Sequence, residues 1–192
     1  MKLILASASP RRAEILRDAR IMFEAMPAHV DEARREGEAP MGLVLRLAEA
    51  KARAVAARAD GPCIVVGADT EVVLEGDVLG KPGSAEHASA MLRRLAGRTH
   101  EVITGLALIR LPEGALHREQ EVTRVTFAPM SAEEIAEYVA SGEPFDKAGG
   151  YAIQGRGGRF VTRVEGCYFN IVGLPLARLY AMLREMGWQF RG

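Results

Sequence analysis

The stretch Cys63–Pro82, CIVVGADTEVVLEGDVLGKP, constrains this chain more than any other. It opens as an apolar strand, Cys63-Ile64-Val65-Val66, and its apolar run resumes at Val72-Val73-Leu74. Between them stand Gly67, Ala68 and the carboxylate of Asp69, where a core strand should continue. An ionised carboxylate taken into a core without partners is strongly destabilising. Asp69 therefore either faces a wet cleft or binds cations; the plain alternative is a strand-end Asp that takes a turn. After Glu75-Gly76-Asp77 the chain returns through Val78-Leu79 to Gly80-Lys81-Pro82. Lys81 thus follows a short hairpin and can come back to the same cleft as Asp69.

The remaining totals exclude more than they assign. With 192 residues, 48% of them apolar and 26% charged, the chain suits one good-sized soluble domain or two small lobes. Its formal net charge of zero argues against a nucleic-acid polymer as partner but leaves room for a small anion in a local cationic pocket. No apolar run approaches a membrane span, and Lys2–Ala6 is too short for a signal peptide, so a cytoplasmic protein without membrane partners is expected. Cys63 and Cys167 form no C-x-x-C pair and read as buried small hydrophobes. His29, His87, His100 and His117 have no metal-ligand spacing and read as structural or surface residues.

Taken in order, residues 2–6 read as a strand, and Ser9-Pro10 as the start of a helix running to about Asp18. Arg11 and Arg12 then place two cations where the helix dipole disfavours them. Free backbone N–H groups and two guanidinium groups together make an anion site, although two tolerated surface arginines would read the same. Met22–Met26 suggests a short strand, and Arg34–Gly42 an exposed, mobile connection. From Met41 to Ala59 the helical period places Leu43, Leu47, Ala50 and Ala54 on one face, with Lys51 on or beside it. Such a lysine either snorkels to solvent or meets an anion. The chain holds 21 Arg and only four Lys, at 2, 51, 81 and 147, so a lysine that persists marks a place for a compact ammonium.

Further on, Ser84–Leu95 reads as a helix, Thr99–Arg110 and Glu119–Phe127 as two long strands, and Ser131-x-x-Glu134 as a capping box. Gly142–Gly158 is a glycine-rich loop carrying Asp146, Lys147 and Gln154. A strand at Arg159–Val164 and a last helix opened by Leu174-Pro175 complete the chain.

Arg11, Arg12, Lys51, Lys81 and Lys147 supply many cations, and Asp69 supplies a carboxylate with Glu32, Glu71 and Asp146 as candidate partners. That balance suits a polyphosphate with a divalent metal, Mg²⁺ or Mn²⁺, held by one or two carboxylates and phosphate oxygens. The matching chemistry is carboxylate-assisted attack of water at phosphorus. No Walker motif is present, no G-x-G-x-x-G follows a strand, and Ser7 and Ser9 lack a nearby His for acyl transfer.

Six segments together resemble the Maf family of nucleotide pyrophosphatases, also described as septum-formation-inhibitor-like proteins. They are Leu5-Ala6-Ser7-Ala8-Ser9-Pro10-Arg11-Arg12, Glu49-Ala50-Lys51-Ala52, Val66-Gly67-Ala68-Asp69-Thr70, Leu79-Gly80-Lys81-Pro82, Asp146–Tyr151 with Ile153-Gln154-Gly155, and Val172-Gly173-Leu174-Pro175. They stand in the family's order and cover almost the full chain.

The resemblance implies one domain over residues 1–192, of α/β class. It has a long mixed sheet flanked by helices, in two lobes with a central cleft, as in inosine-triphosphatase-like proteins. It also implies metal-dependent hydrolysis of a nucleoside triphosphate to the monophosphate and pyrophosphate, with Asp69 as general base. Residues matching Ser7, Arg12, Glu32, Lys51 and Lys81 would line the phosphate and metal site, with Asp69 and Glu32 on the metal. Those matching Arg11, Thr70 and Gln154 mark the branch acting on dTTP and UTP, and Gln suits a pyrimidine edge because it both donates and accepts. The 7-methyl-GTP branch tends to carry an aromatic residue at the position of Arg11. Glu71 departs from the apolar or small residue expected there. A non-catalytic, nucleotide-binding regulator of cell division remains the alternative. The expected partner is a small nucleotide, with room for a homodimer.

Overall fold

The computed structural model describes residues 1–190. Its frame is a seven-stranded mixed sheet flanked by helices. Strand β1 (Lys2–Leu5) pairs in parallel with β2 (Glu24–Ala25) on one side and with β3 (Cys63–Leu74) on the other. The order continues through β5 (Thr99–Leu111) and β6 (Ala115–Phe127) to β7 (Val161–Glu165), and β4 (Asp77–Leu79) pairs antiparallel with β3. Glu75 and Gly76 both take positive φ, 54° and 88°, as a tight two-residue hairpin requires. The sequence reading of this hairpin holds.

β3 runs unbroken for 12 residues, so Asp69 lies inside a strand and does not end one. The turn alternative for Asp69 falls with that observation. β6 begins at Ala115 rather than Glu119, because the chain resumes pairing immediately past the Gly114 turn. Arg159 lies in a 3-10 turn, Arg156–Phe160, and the last strand starts at Val161.

The helices are α1 (Pro10–Asp18), α2 (Pro40–Ala56), α3 (Ala85–Leu95), α4 (Ala132–Ala140), α5 (Tyr168–Val172) and α6 (Leu176–Glu185). Local chemistry starts three of them. Ser9 caps α1 with Pro10 at its first turn, Ser84 accepts the His87 N–H for α3, and Ser131 and Glu134 form a reciprocal capping box on α4. Helix α5 is short and was not anticipated.

The chain divides into two compact units. The first comprises Met1–Asp69, Thr104–Glu121 and the chain from Gly173 on; the second comprises Thr70–Ile103 and Val122–Val172. The core of the first sets Ala48, Ala52 and Val55 of α2 against Ile4, Ala6, Cys63, Val65, Ala107 and Ile109. The core of the second gathers Leu92 and Leu95 of α3, Ile135, Tyr138 and Val139 of α4, and Phe127, Tyr151 and Phe160. Cys63 is buried as expected, whereas Cys167 is only half-buried: it follows Gly166 beyond the end of β7.

Candidate functional site

In the first unit, helix α2 rests directly on strand backbone. A Cβ added to Gly67 would lie 2.0 Å from the Ala48 carbonyl oxygen, and one on Gly105 would lie 2.5 Å from the Val44 carbonyl oxygen. Only glycines permit this approach, and it sets the turn holding Lys51 beside β3. Lys51 is 8% exposed and Asp69 7%, so this lysine does not snorkel. Its Nζ lies 2.6 Å from Asp69 Oδ1 and 2.6 Å from Glu32 Oε1. A buried ammonium shared by two carboxylates satisfies the cost that either charge would incur alone.

Glu32 reaches Lys51 from a loop, and that loop is tied to α2. Arg46 donates to the Ala33 carbonyl at 3.0 Å and to both oxygens of Glu38 at 2.6 and 2.8 Å. The hydrogen bond from Arg46 holds the Glu38 carboxyl down to about 2. Arg34 donates to the Glu38 carbonyl at 3.0 and 2.7 Å. The 34–38 turn is thus exposed but pinned, contrary to the mobile connection expected. Arg46 and Glu38 are supporting residues that the sequence reading missed, and an acidic residue shortly before a helix with Arg in its second turn was the signal available.

At the start of α1, the Arg12 Nε donates to the Gly173 carbonyl at 2.8 Å and Nη1 to Ser7 Oγ at 3.2 Å. Ser7 Oγ also accepts the Ser9 N–H at 3.1 Å, so Ser7 serves as a bracket for Arg12. Burial lowers the Arg12 guanidinium below its ordinary value, against the pull of Asp69 and with a further push from Arg11. It remains a cation, as arginine does in proteins. Arg11 is half-buried, and its side chain makes no hydrogen bond or ion pair among the described residues. Ser7, Arg11, Arg12, Glu32, Lys51 and Asp69 all belong to this one unit.

Thr70, Lys81, Lys147 and Gln154 belong to the second. Thr70 follows Asp69 along β3, and Glu71 is half-buried two residues on. Lys81 is exposed, and its turn is joined to the glycine-rich loop where the Gly149 N–H donates to the Gly80 carbonyl at 3.1 Å. Lys147 pairs with Asp146 and donates to the Glu143 carbonyl at 3.0 Å. Gln154 is exposed, and its amide makes no hydrogen bond among the described residues. It therefore does not serve merely to tie down its own loop.

The arrangement fits a hard divalent cation. Among the described residues no three His, Cys, Asp or Glu side chains cluster as a closed metal cage. Asp69 Oδ2, however, is buried without a hydrogen-bond partner, and Glu32 reaches the same ammonium as Asp69. Asp69 with its unpartnered oxygen, beside Glu32 at the same ammonium, suits Mg²⁺ or Mn²⁺, which take their other ligands from phosphate and water.

The family model described as "Maf-like protein" matches residues 2–186. The chain is 54% identical over 187 residues to a protein of Koribacter versatilis named dTTP/UTP pyrophosphatase, covering 97% of this chain and 95% of that one. A protein of the same name from Carboxydothermus hydrogenoformans is 50% identical over 188 residues, covering 98% of this chain and 100% of its own. The solved Ham1 protein of Staphylococcus aureus shares the fold, with a TM-score of 0.51 at 13% identity over 97% of this chain and 100% of that one.

Proposed function

We propose that this chain, which belongs to the Maf family, is a nucleoside triphosphate pyrophosphatase that converts dTTP and UTP to the monophosphate and pyrophosphate. One observation carries the reading into chemistry: Asp69 presents one oxygen fixed by Lys51 at 2.6 Å and a second that is buried and without a hydrogen-bond partner. A carboxylate held in this way can take the proton of an attacking water while its own charge stays compensated. Lys51 compensates and orients the Asp69 carboxylate. Arg12, locked by Ser7 and Gly173, and Arg11 beside it present guanidinium groups to phosphate oxygens. Lys81 and Lys147 add charge against the pyrophosphate leaving group. Asp69 and Glu32 would hold a divalent cation, which when bound screens the phosphates and polarises the phosphorus under attack.

Base choice falls to Gln154, with Arg11 and Thr70. The Gln154 amide offers a donor and an acceptor to the O2, N3–H and O4 edge of a pyrimidine. A base that leaves those groups unpaired is rejected more strongly than an apolar pocket could manage. The cell would use such an enzyme in its cytoplasm, to remove excess or modified pyrimidine nucleotides.

The deciding experiment is pyrophosphate release from dTTP with Mg²⁺ or Mn²⁺, in the native chain and in Asp69→Asn. The expected loss is about a hundredfold or more in a chain that still folds, because the change is nearly isosteric and Lys51 keeps Glu32 as a counter-charge. Full activity in Asp69→Asn removes Asp69 from the mechanism, and no turnover by the native chain favours a binding regulator instead. Steady-state kinetics on dTTP, UTP, ATP, GTP and 7-methyl-GTP, repeated with Gln154→Ala, test the base reading. Equal use of all five, or an unchanged preference in Gln154→Ala, overturns it.

A further inference from the structure

The loop that carries Gln154 closes on a carboxylate to which the chemistry above gives no role. Glu143 Oε1 accepts the Tyr138 hydroxyl at 2.7 Å and the Gly157 N–H at 3.1 Å, while Oε2 accepts the Arg156 N–H at 3.0 Å. The Tyr138 oxygen in turn accepts the Ala152 N–H at 3.2 Å. Both ends of the segment Ala152–Gly157 are therefore tied to one Tyr–Glu pair, and Gln154 stands between the ties. Tyr138 is fully buried at the end of α4 and cannot follow the loop if it moves.

The glycines fit the same device. A Cβ on Gly155 would lie 2.3 Å from Glu143 Oε2, and one on Gly157 would lie 2.6 Å from the Tyr138 hydroxyl oxygen. Backbone can reach the carboxylate only because both positions lack a side chain. Burial pushes the Glu143 carboxyl up, but the hydrogen bonds from Tyr138, Arg156 and Gly157 and the charge of Lys147 bring it below the usual range. It is an anion at neutral pH, able to accept all three bonds at once.

We infer that Glu143, braced by Tyr138, is a positioning residue that holds Ala152–Gly157 in the shape from which Gln154 selects the nucleobase. The inference rests on the reading of Gln154 as the base contact. Glu143 touches no reacting atom in this scheme; it acts only through the loop. Lys147 is held by the backbone carbonyl of Glu143, so replacing the Glu143 side chain leaves that bond in place.

The test is kcat and KM on dTTP, UTP, ATP and GTP for the native enzyme, Glu143→Ala, Glu143→Gln, Tyr138→Phe, Gln154→Ala and the double variant Glu143→Ala with Gln154→Ala. Glu143→Ala should lower the dTTP-to-ATP ratio of kcat/KM by about tenfold, chiefly through a higher KM for dTTP, with kcat held within about threefold, since no transition-state contact is removed. Glu143→Gln keeps one acceptor oxygen and should recover part of the ratio. Tyr138→Phe keeps the buried ring, so it folds even where Glu143→Ala does not, and should shift the ratio in the same direction. The double variant should show the preference of Gln154→Ala alone, because two groups acting through one contact are not additive. If Gln154→Ala destroys the preference while Glu143→Ala and Tyr138→Phe keep it, the positioning role is wrong and the base reading stands. Additive losses in the double variant also overturn the inference. An unchanged preference in Gln154→Ala removes the base reading and the inference with it.

Discussion

Replacing Gly67 by Ala tests whether the seating of α2 on β3 builds the site. The new Cβ would stand 2.0 Å from the Ala48 carbonyl oxygen, 2.8 Å from the Ala52 nitrogen and 3.0 Å from the Ala52 Cβ. Carbon and oxygen tolerate about 3.3 Å, so the helix must withdraw by roughly 1 Å. The first two of these neighbours are helix backbone in a packed core, and no rotamer change relieves them. Overpacking of this kind costs about 1–3 kcal/mol. In a chain of this length that lowers the melting temperature by about 2–12 °C. Lys51 sits on the displaced turn, so its ammonium leaves Asp69 by a similar distance, and a misplacement of that size costs about a hundredfold in turnover. Gly42→Ala is the control within the same helix. Its Cβ would meet only Glu38 Cγ, at 3.9 Å, and the gain in helix propensity should stabilise by about 0.5–1 kcal/mol. Thermal melts and pyrophosphate release from dTTP measure both effects. Native melting and native turnover in Gly67→Ala, or an equal loss in Gly42→Ala, would refute the seating argument.

The lysines separate by environment. Lys51→Ala strands the buried Asp69 and should cost about 3–5 kcal/mol as well as activity, read by urea unfolding and by kcat/KM. Lys81→Ala, at an exposed position, should lose activity at an unchanged melting temperature, while Lys2→Ala, which breaks only a surface pair with Glu24, should change neither. Native kcat/KM in Lys81→Ala would take Lys81 out of the reaction. His100 predicts a pH dependence of stability in the second unit. Its Nε2 lies 2.8 Å from the Tyr151 hydroxyl, its Nδ1 is buried without a partner, and burial depresses the ring from 6.5 to about 4. The unfolded chain therefore takes up this proton first, and stability is lost as pH falls from 6.5 towards 4. The part due to His100 is about 2 kcal/mol between pH 7.5 and 5, measured as the difference in urea unfolding between the native chain and His100→Gln. Equal pH slopes in the two proteins would show that His100 stays accessible to protons.

Interactions closing within a few residues were legible without a structure. The Ser9-Pro10 start, the Ser131/Glu134 box and the Glu75-Gly76 turn each depend on neighbouring backbone, so residue type and spacing identify them. Helical period likewise placed Lys51 at the edge of an apolar face. Its burial between Asp69 and Glu32 could not be read there, because those partners come from separate segments and their approach depends on the bare backbone of Gly67 and Gly105. The same holds for Arg46, one surface charge among many in sequence, whose bonds to Ala33 and Glu38 fasten the Glu32 loop. Glu143 lay inside a stretch read simply as glycine-rich loop, yet its carboxylate accepts from Tyr138, 5 residues before it, and from Gly157, 14 after. Sequence records which charges and glycines are available. Which charge compensates which is decided by the path of the chain, since an ion pair forms wherever folding brings its partners within hydrogen-bonding distance.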